Sequence, residues 1–203
     1  MALGAADGVE HSGLPAQLGA FHRQYPGVSV HLVDGTSASL VPQVRQGSLD
    51  AAFVAVPPGG LDPGFGHRVL VRDEIVAVVA ADRPQARRPT LTLAELAGTP
   101  LIAYGPDSGL RPHLLAAFAE AGEPFRPAYA TNHVALQIEL VAAGVGIALA
   151  AAAARCLTGD PRVTAVPLTP RIPYAKALIW RAGSHTSAPL RALLSLPTAA
   201  SGS

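Results

Sequence analysis

Apolar residues in this chain alternate between two periods. Leu14, Leu18, Phe21 and Tyr25 recur at helical spacing, and Pro26-Gly27 ends that run. The stretch DGTSASLVPQVRQGSLDAAFV, residues 34–54, reads as a turn, a short helix, a turn and a strand. In it Leu40, Val41 and Val44 make one helical face, and Gly47 stands where the helix should stop. LDAAFVAV then runs apolar with almost no alternation, as a strand covered on both faces does. MALGAA predicts a weak first strand and VSVHLV a second, while HRVLV and EIVAVVAA predict two more. The pattern restarts after DRPQARRP. In TLAEL, Thr92 and Glu95 have capping-box spacing, with Leu91 and Leu96 placed to form a hydrophobic staple. PLIAY, FRPAYAT, VGIALA, VTAVPL and YAKALIW predict strands. The helices among them follow GPDSG, then Asn132, which is placed to cap HVALQIELVAAG, and lastly the run APLRALLSL. The tail PTAASGS is expected to fray.

Alternating strands and helices argue for an α/β fold with mostly parallel sheets. The βα pattern appears twice, with a break near residues 76–89, so two α/β lobes are expected.

Composition supports a substantial core. The chain has 203 residues, 49% of them hydrophobic, and 14% charged where about 25% is usual. A formal net charge of +1 argues against a broad basic surface for nucleic acid. The tightest basic cluster, Arg83, Arg87 and Arg88, is short, lacks aromatic partners and reads as a solvated loop. Cys156 is the single cysteine, expected as a small buried apolar residue, so no intrachain disulfide is possible. The start lacks the features of a secretory signal, and the apolar run at residues 140–154 is short and rich in Ala and Gly, suiting a buried helix, strand and helix better than a membrane span. Lys176 is the single lysine beside fourteen arginines.

Motifs for catalysis are missing from the sequence. GTSAS and PDSGL are not the nucleophile elbow, no spacing joins Ser, His and Asp into a triad, and no phosphate-binding loop or metal-ligand spacing occurs. No metal or cofactor is implied. Four loops instead precede helices in equivalent positions, at residues 7–13, 35–39, 105–109 and 131–133. In parallel α/β sheets such loops gather at the carboxyl edge, where ligands bind, and each offers free N–H groups to a polar or anionic group. Thr36, Ser37 and Ser39 are candidate ligand contacts, although one of these hydroxyls is needed to cap the helix. Ser37 or Ser39 is the expected cap, which leaves Thr36 for the ligand.

The segments LPAQLGAFHRQYPGVSVHL, GTSASLVPQVRQGSLDAAFV, VAVVAADRP, LTLAELAGTPLI, SGLRPHLLAAFAEAG and ALQIELVAAGVGIAL follow one another as in the effector-binding domain of LysR-type transcriptional regulators, and the chain resembles that domain over nearly its whole length. The resemblance implies a fold similar to type 2 periplasmic binding proteins: two Rossmann-like lobes joined by two crossover strands, with a small-molecule effector in the cleft. Lobe I would hold residues 1–75 and 164–203, and lobe II residues 76–163. The family's effector-contacting loops fall on Ala6 and Asp7, Thr36 and Ser37, Gly105 and Pro106, and Asn132 and His133. A cytoplasmic homodimer is implied, pairing the helix at residues 14–24 of one chain with that at 110–121 of the other, and a tetramer for a full-length regulator. DNA would be bound only through the family's N-terminal winged helix-turn-helix, which has no counterpart in the chain. Asp7 departs from the family, which often carries Ser or Thr there; a negative charge would oppose an effector carboxylate. Two other readings compete: the solute-binding protein of a transporter, which shares the fold, and a small serine hydrolase, which no motif supports.

Overall fold

The computed structural model describes residues 1–157, 159–183 and 186–197. In chain order the elements are β1 (Ala2–Ala5), α1 (Leu14–Gln24), β2 (His31–Asp34), α2 (Ser37–Gln46), β3 (Ala51–Val56), β4 (Phe65–Ala80), β5 (Leu91–Thr92), α3 (Leu93–Ala97), β6 (Leu101–Ala103), α4 (Arg111–Glu120), β7 (Tyr129–Ala130), α5 (Val134–Ala142), β8 (Ile147–Ala151), β9 (Val163–Val166), β10 (Leu168–Thr169), β11 (Ile172–Arg181) and α6 (Ala188–Ser195). They form two compact units, Met1–Arg72 with Ala175–Ser203, and Asp73–Tyr174. The chain passes from one unit to the other twice, once along β4 and once along β11.

In the first unit the strand order is β2-β1-β3-β11. β1 is parallel to both β2 and β3, and β11 runs antiparallel to β3. LDAAFVAV is covered on both faces, as its unbroken apolar run predicts. Ala51 and Phe53 pack with Leu14 and Phe21 of α1 and Leu190 of α6, whereas Ala52 and Val54 pack with Leu40 and Val44 of α2. The Gln17 amide, buried on α1, donates to the carbonyls of Leu193 and Leu196 at 2.9 and 3.0 Å and so satisfies the end of α6. The first strand is not weak in its setting. Leu3 is fully buried, and pairing on both edges compensates for a run of Ala and Gly. β2 is the edge strand; all four of its residues are exposed.

In the second unit the order is β4-β8-β6-β7, with β9 on the other side of β4 and a separate parallel pair, β5 and β10. Ile138 and Val141 of α5 cover Val78, Ile102 and Ala148 of the sheet. Thr92 and Glu95 form the expected capping box at α3: Thr92 Oγ1 accepts from Glu95 N at 3.2 Å, and Glu95 Oε2 accepts from Thr92 N at 2.8 Å.

Several expectations need correction. HRVLV and EIVAVVAA are one sixteen-residue strand, β4, because the polar residues between them keep extended backbone. FRPAYAT contributes only Tyr129–Ala130. VTAVPL splits into β9, paired with β4, and β10, paired with β5, because Pro167 interrupts it. These two strands belong to the second unit, so that unit ends at Tyr174 and not before Thr164. After β8 the chain turns into a short 3-10 segment, Arg155–Leu157, in place of a helix. Cys156 there is exposed, not buried. The expected frayed tail lies outside the described residues from position 198 onwards. Among the described residues no helix is long and apolar enough to cross a membrane.

Candidate functional site

In the first unit β1, β2 and β3 are parallel, so their carboxyl ends share one edge. Backbone bonds lock the loops there side by side: Ala6 N donates to Phe53 O at 3.0 Å, and Gly35 N donates to Ala5 O at 3.2 Å. Ala6, Asp7, Thr36 and Ser37 are thereby gathered in one place. Ala6 is buried, Asp7 exposed, and Thr36 and Ser37 half-buried.

The hydroxyls divide their tasks differently from the expectation. Thr36, not Ser37 or Ser39, is the N-cap of α2; its Oγ1 accepts from Ser39 N at 3.3 Å, and Ser39 Oγ accepts from Thr36 N at 3.1 Å in return. Gly35 makes this box possible, since a Cβ there would stand 2.7 Å from Ser39 Oγ and 3.1 Å from Leu40. Ser37 Oγ accepts from Ala55 N at 3.1 Å, just past the point where β3 stops pairing with β1. Thr36 is thus engaged by its own helix and Ser37 by β3, and each hydroxyl accepts one backbone N–H while keeping an O–H to donate.

In the second unit β6, β7 and β8 are parallel and their loops again lie at one edge. Asn132 does not cap α5. The N-cap is His133, without a side-chain bond, and the Asn132 amide instead spans two loops. Its Oδ1 accepts from Gly105 N at 2.9 Å and its Nδ2 donates to Asp107 Oδ1 at 3.2 Å. Gly105 and Asn132 are therefore in direct contact; Pro106 and His133 are exposed beside them. Gln137, buried on α5, donates to Thr131 O at 2.7 Å and fixes the same loop from below.

Three further groups, which no sequence motif marks as part of a site, support these loops. Arg111 donates to Tyr104 O at 2.8 Å, and the Tyr104 hydroxyl accepts from Ala151 N at 3.0 Å, so β6, α4 and β8 are tied together. Tyr174 donates to Asp73 Oδ2 at 2.8 Å, joining the second-unit ends of β4 and β11. Burial, with the Asp73 carboxylate beside it, pushes Tyr174 ionisation well above the ordinary phenol range, so it stays a neutral donor. Lys176, a buried ammonium on β11, donates to the carbonyl of Asp7. Its signal in the sequence was there to read: one lysine inside the apolar run YAKALIW. Among the described residues no three His, Cys, Asp or Glu side chains are grouped to hold a metal ion.

The chain matches the LysR substrate binding domain over residues 1–200. It belongs to that family. The LysR substrate-binding domain is a binding module of regulators, not an enzyme. The HTH-type transcriptional regulator TtuA of Agrobacterium vitis is 32% identical over 72% of this chain and 49% of that protein. The HTH-type transcriptional regulator IlvR of Caulobacter vibrioides is 31% identical over 93% of the chain and 64% of that protein. The chain thus spans about half to two thirds of the length of these relatives. The effector binding domain of QuiR in complex with shikimate has the same fold: its TM-score is 0.82 at 20% identity, covering 96% of this chain and 92% of that one. The type 2 periplasmic-binding-protein-like α/β architecture follows from that likeness, and the family favours a regulator's domain over a transporter's solute-binding protein.

Proposed function

We propose that this LysR substrate-binding domain senses a small-molecule effector for a bacterial transcriptional regulator, and that effector binding controls how the full-length protein engages DNA. The observation that carries this reading is the pair of prepared loop clusters, Ala6, Asp7, Thr36 and Ser37 in the first unit and Gly105, Pro106, Asn132 and His133 in the second. Each stands at the carboxyl edge of parallel strands and each is held by side chain to backbone bonds. That is the setting in which α/β sheets take up ligands, with backbone N–H groups already oriented. The regulators among the relatives support a cytoplasmic place of action and DNA contact through a separate helix-turn-helix domain. A homodimer is part of the same reading, with α1 and α4 at its interface. Leu115 on α4 is 47% exposed, an apolar side chain available to such a contact.

The reading is tested by screening small metabolites against the chain by thermal shift and following each hit by calorimetry. One saturable compound per chain, returned unchanged, is expected. Turnover of a bound compound would contradict it.

A further inference from the structure

The second unit begins at Asp73 and ends at Tyr174, so these residues mark the points where β4 enters it and β11 leaves it. They are bonded to each other, the Tyr174 hydroxyl donating to Asp73 Oδ2 at 2.8 Å. The same oxygen accepts from Ala153 N at 3.0 Å. Beside this joint the two strands are tied again: Arg171 donates from Nε and Nη2 to the two carboxylate oxygens of Glu74 at 2.7 and 2.9 Å. Ala153 lies just past the carboxyl end of β8, at the edge that β8 shares with β6. Three successive amides there have three different partners. Ala151 N donates to the Tyr104 hydroxyl at 3.0 Å, Ala152 N to the Glu74 carbonyl at 2.9 Å, and Ala153 N to Asp73. Tyr104 in turn precedes Gly105, the residue that Asn132 holds. An unbroken run of covalent and hydrogen bonds thus leads from the Gly105–Asn132 loops, through residues 151–153, to both ends of the unit.

We propose that Asp73 is a positioning residue, which passes a displacement of the loop at residues 151–153 to both strands that join the second unit to the rest of the chain. The inference rests on the effector-binding reading above, because that loop stands at the edge where a ligand is taken up. The ladder between β4 and β8 ends at Ile75 and Ala151, so pairing of the sheet does not by itself require a carboxylate two residues further on. Asp73 is half-buried, and a carboxylate drawn out of water is costly unless its lone pairs are used. Here one oxygen serves both donors. Separate acceptors would let loop and strand move independently; a shared one makes the position of each donor depend on the other. Both bonds end on an anionic oxygen and are of the stronger, charge-assisted kind. Contiguous bonded groups of this sort are the physical means by which one place in a protein can bias another.

Amide hydrogen exchange at Ala153 and the ζ-carbon resonance of Tyr174, both read by NMR in the 203-residue protein, test this without any ligand. Asp73→Ala should speed exchange at Ala153 about tenfold, the loss of one hydrogen bond. Asp73→Asn, which keeps an acceptor oxygen, should restore most of the protection. Tyr174→Phe removes only the other donor, yet it should speed exchange at Ala153 severalfold through the shared oxygen. From the opposite side, Tyr104→Phe frees Ala151 N and should shift the Tyr174 resonance, and that shift should vanish once Asp73→Ala is added. An Asp73 that merely fastens the loop would speed exchange at Ala153 when replaced but leave the effect of Tyr104→Phe unaltered. A shift that persists beside Asp73→Ala, no shift on Tyr104→Phe alone, or exchange at Ala153 unmoved by Tyr174→Phe overturns the inference. Should Asp73→Ala fail to fold by circular dichroism, exchange at Ala153 in Tyr174→Phe decides. None of these outcomes touches the effector-binding reading, which falls only on the metabolite screen.

Discussion

Thr36 and Ser37 show how much one position matters. Both are hydroxyl residues beside a helix start, and their chemistry alone does not say which will cap. Close packing of Gly35 against Leu40 sets the phase of α2, and Thr36 then falls at the cap. Thr36→Ala should therefore cost about 1 kcal/mol of stability, read from urea or thermal unfolding, with little direct loss of ligand affinity. Ser37→Ala should do the reverse, weakening ligand binding more than it lowers the melting temperature. Asn132 allows a sharper check. Its Oδ1 holds Gly105 N–H, so in Asn132→Ala that amide should exchange faster with solvent while amides of β6 keep their protection. Unchanged exchange at Gly105 would mean the loop is held by other means. The positions of these loops were legible in the sequence, because strand, turn and helix alternate visibly. The partners were not: Asn132 looks like a cap until the neighbouring loop offers Gly105 N–H, and such long-range bonds leave no local mark.

At the scale of elements the sequence was most readable where structure is local. The Thr92–Glu95 capping box closes within four residues and needs nothing from the rest of the chain. β4 looks like two strands in the sequence because its polar middle resembles a turn, although a strand crossing from one unit to the other has no single core face to keep apolar there. α4 depends on Phe118, which is fully buried with its ring centre 5.0 Å from that of Phe125. Phe118→Ala should destabilise the second unit by about 3–5 kcal/mol in chemical denaturation. Arg162 joins α5 to the turn before β9, donating to Glu139 at 2.7 Å and to Asp160 at 2.8 Å. The hydrogen bonds from its guanidinium hold both carboxyls below their ordinary values of 4.5 and 3.8. Carboxyls depressed in the folded state stabilise it above their unfolded values, and that contribution is lost as pH falls through the folded ones. The melting temperature of Arg162→Ala should thus lie slightly below that of the parent at pH 7, and the gap should close below about pH 4 as both carboxyls protonate. A gap that stays constant down to pH 3 would show that the ion pairs contribute nothing specific.

For the whole molecule, two compact units and a family match over residues 1–200 make a ligand-binding domain the frame within which every local feature acts. A formal charge of +1 leaves little to neutralise phosphates, so the chain alone should give no sequence-selective gel shift at physiological salt. Light scattering should find a dimer, and Leu115→Glu on α4 should shift it towards monomer. The overall class was open to a reader of the sequence because the order of motifs is long and specific; the setting of Lys176 was not, since a lone charged residue in an apolar strand does not name its partner. The measurement that bears most directly on the central claim is an amide NMR titration of the chain with a compound that binds it saturably. The account predicts that the largest shifts fall on Ala6, Asp7, Thr36, Ser37, Gly105, Asn132 and His133. Saturable binding that leaves those amides still and moves another surface would contradict it.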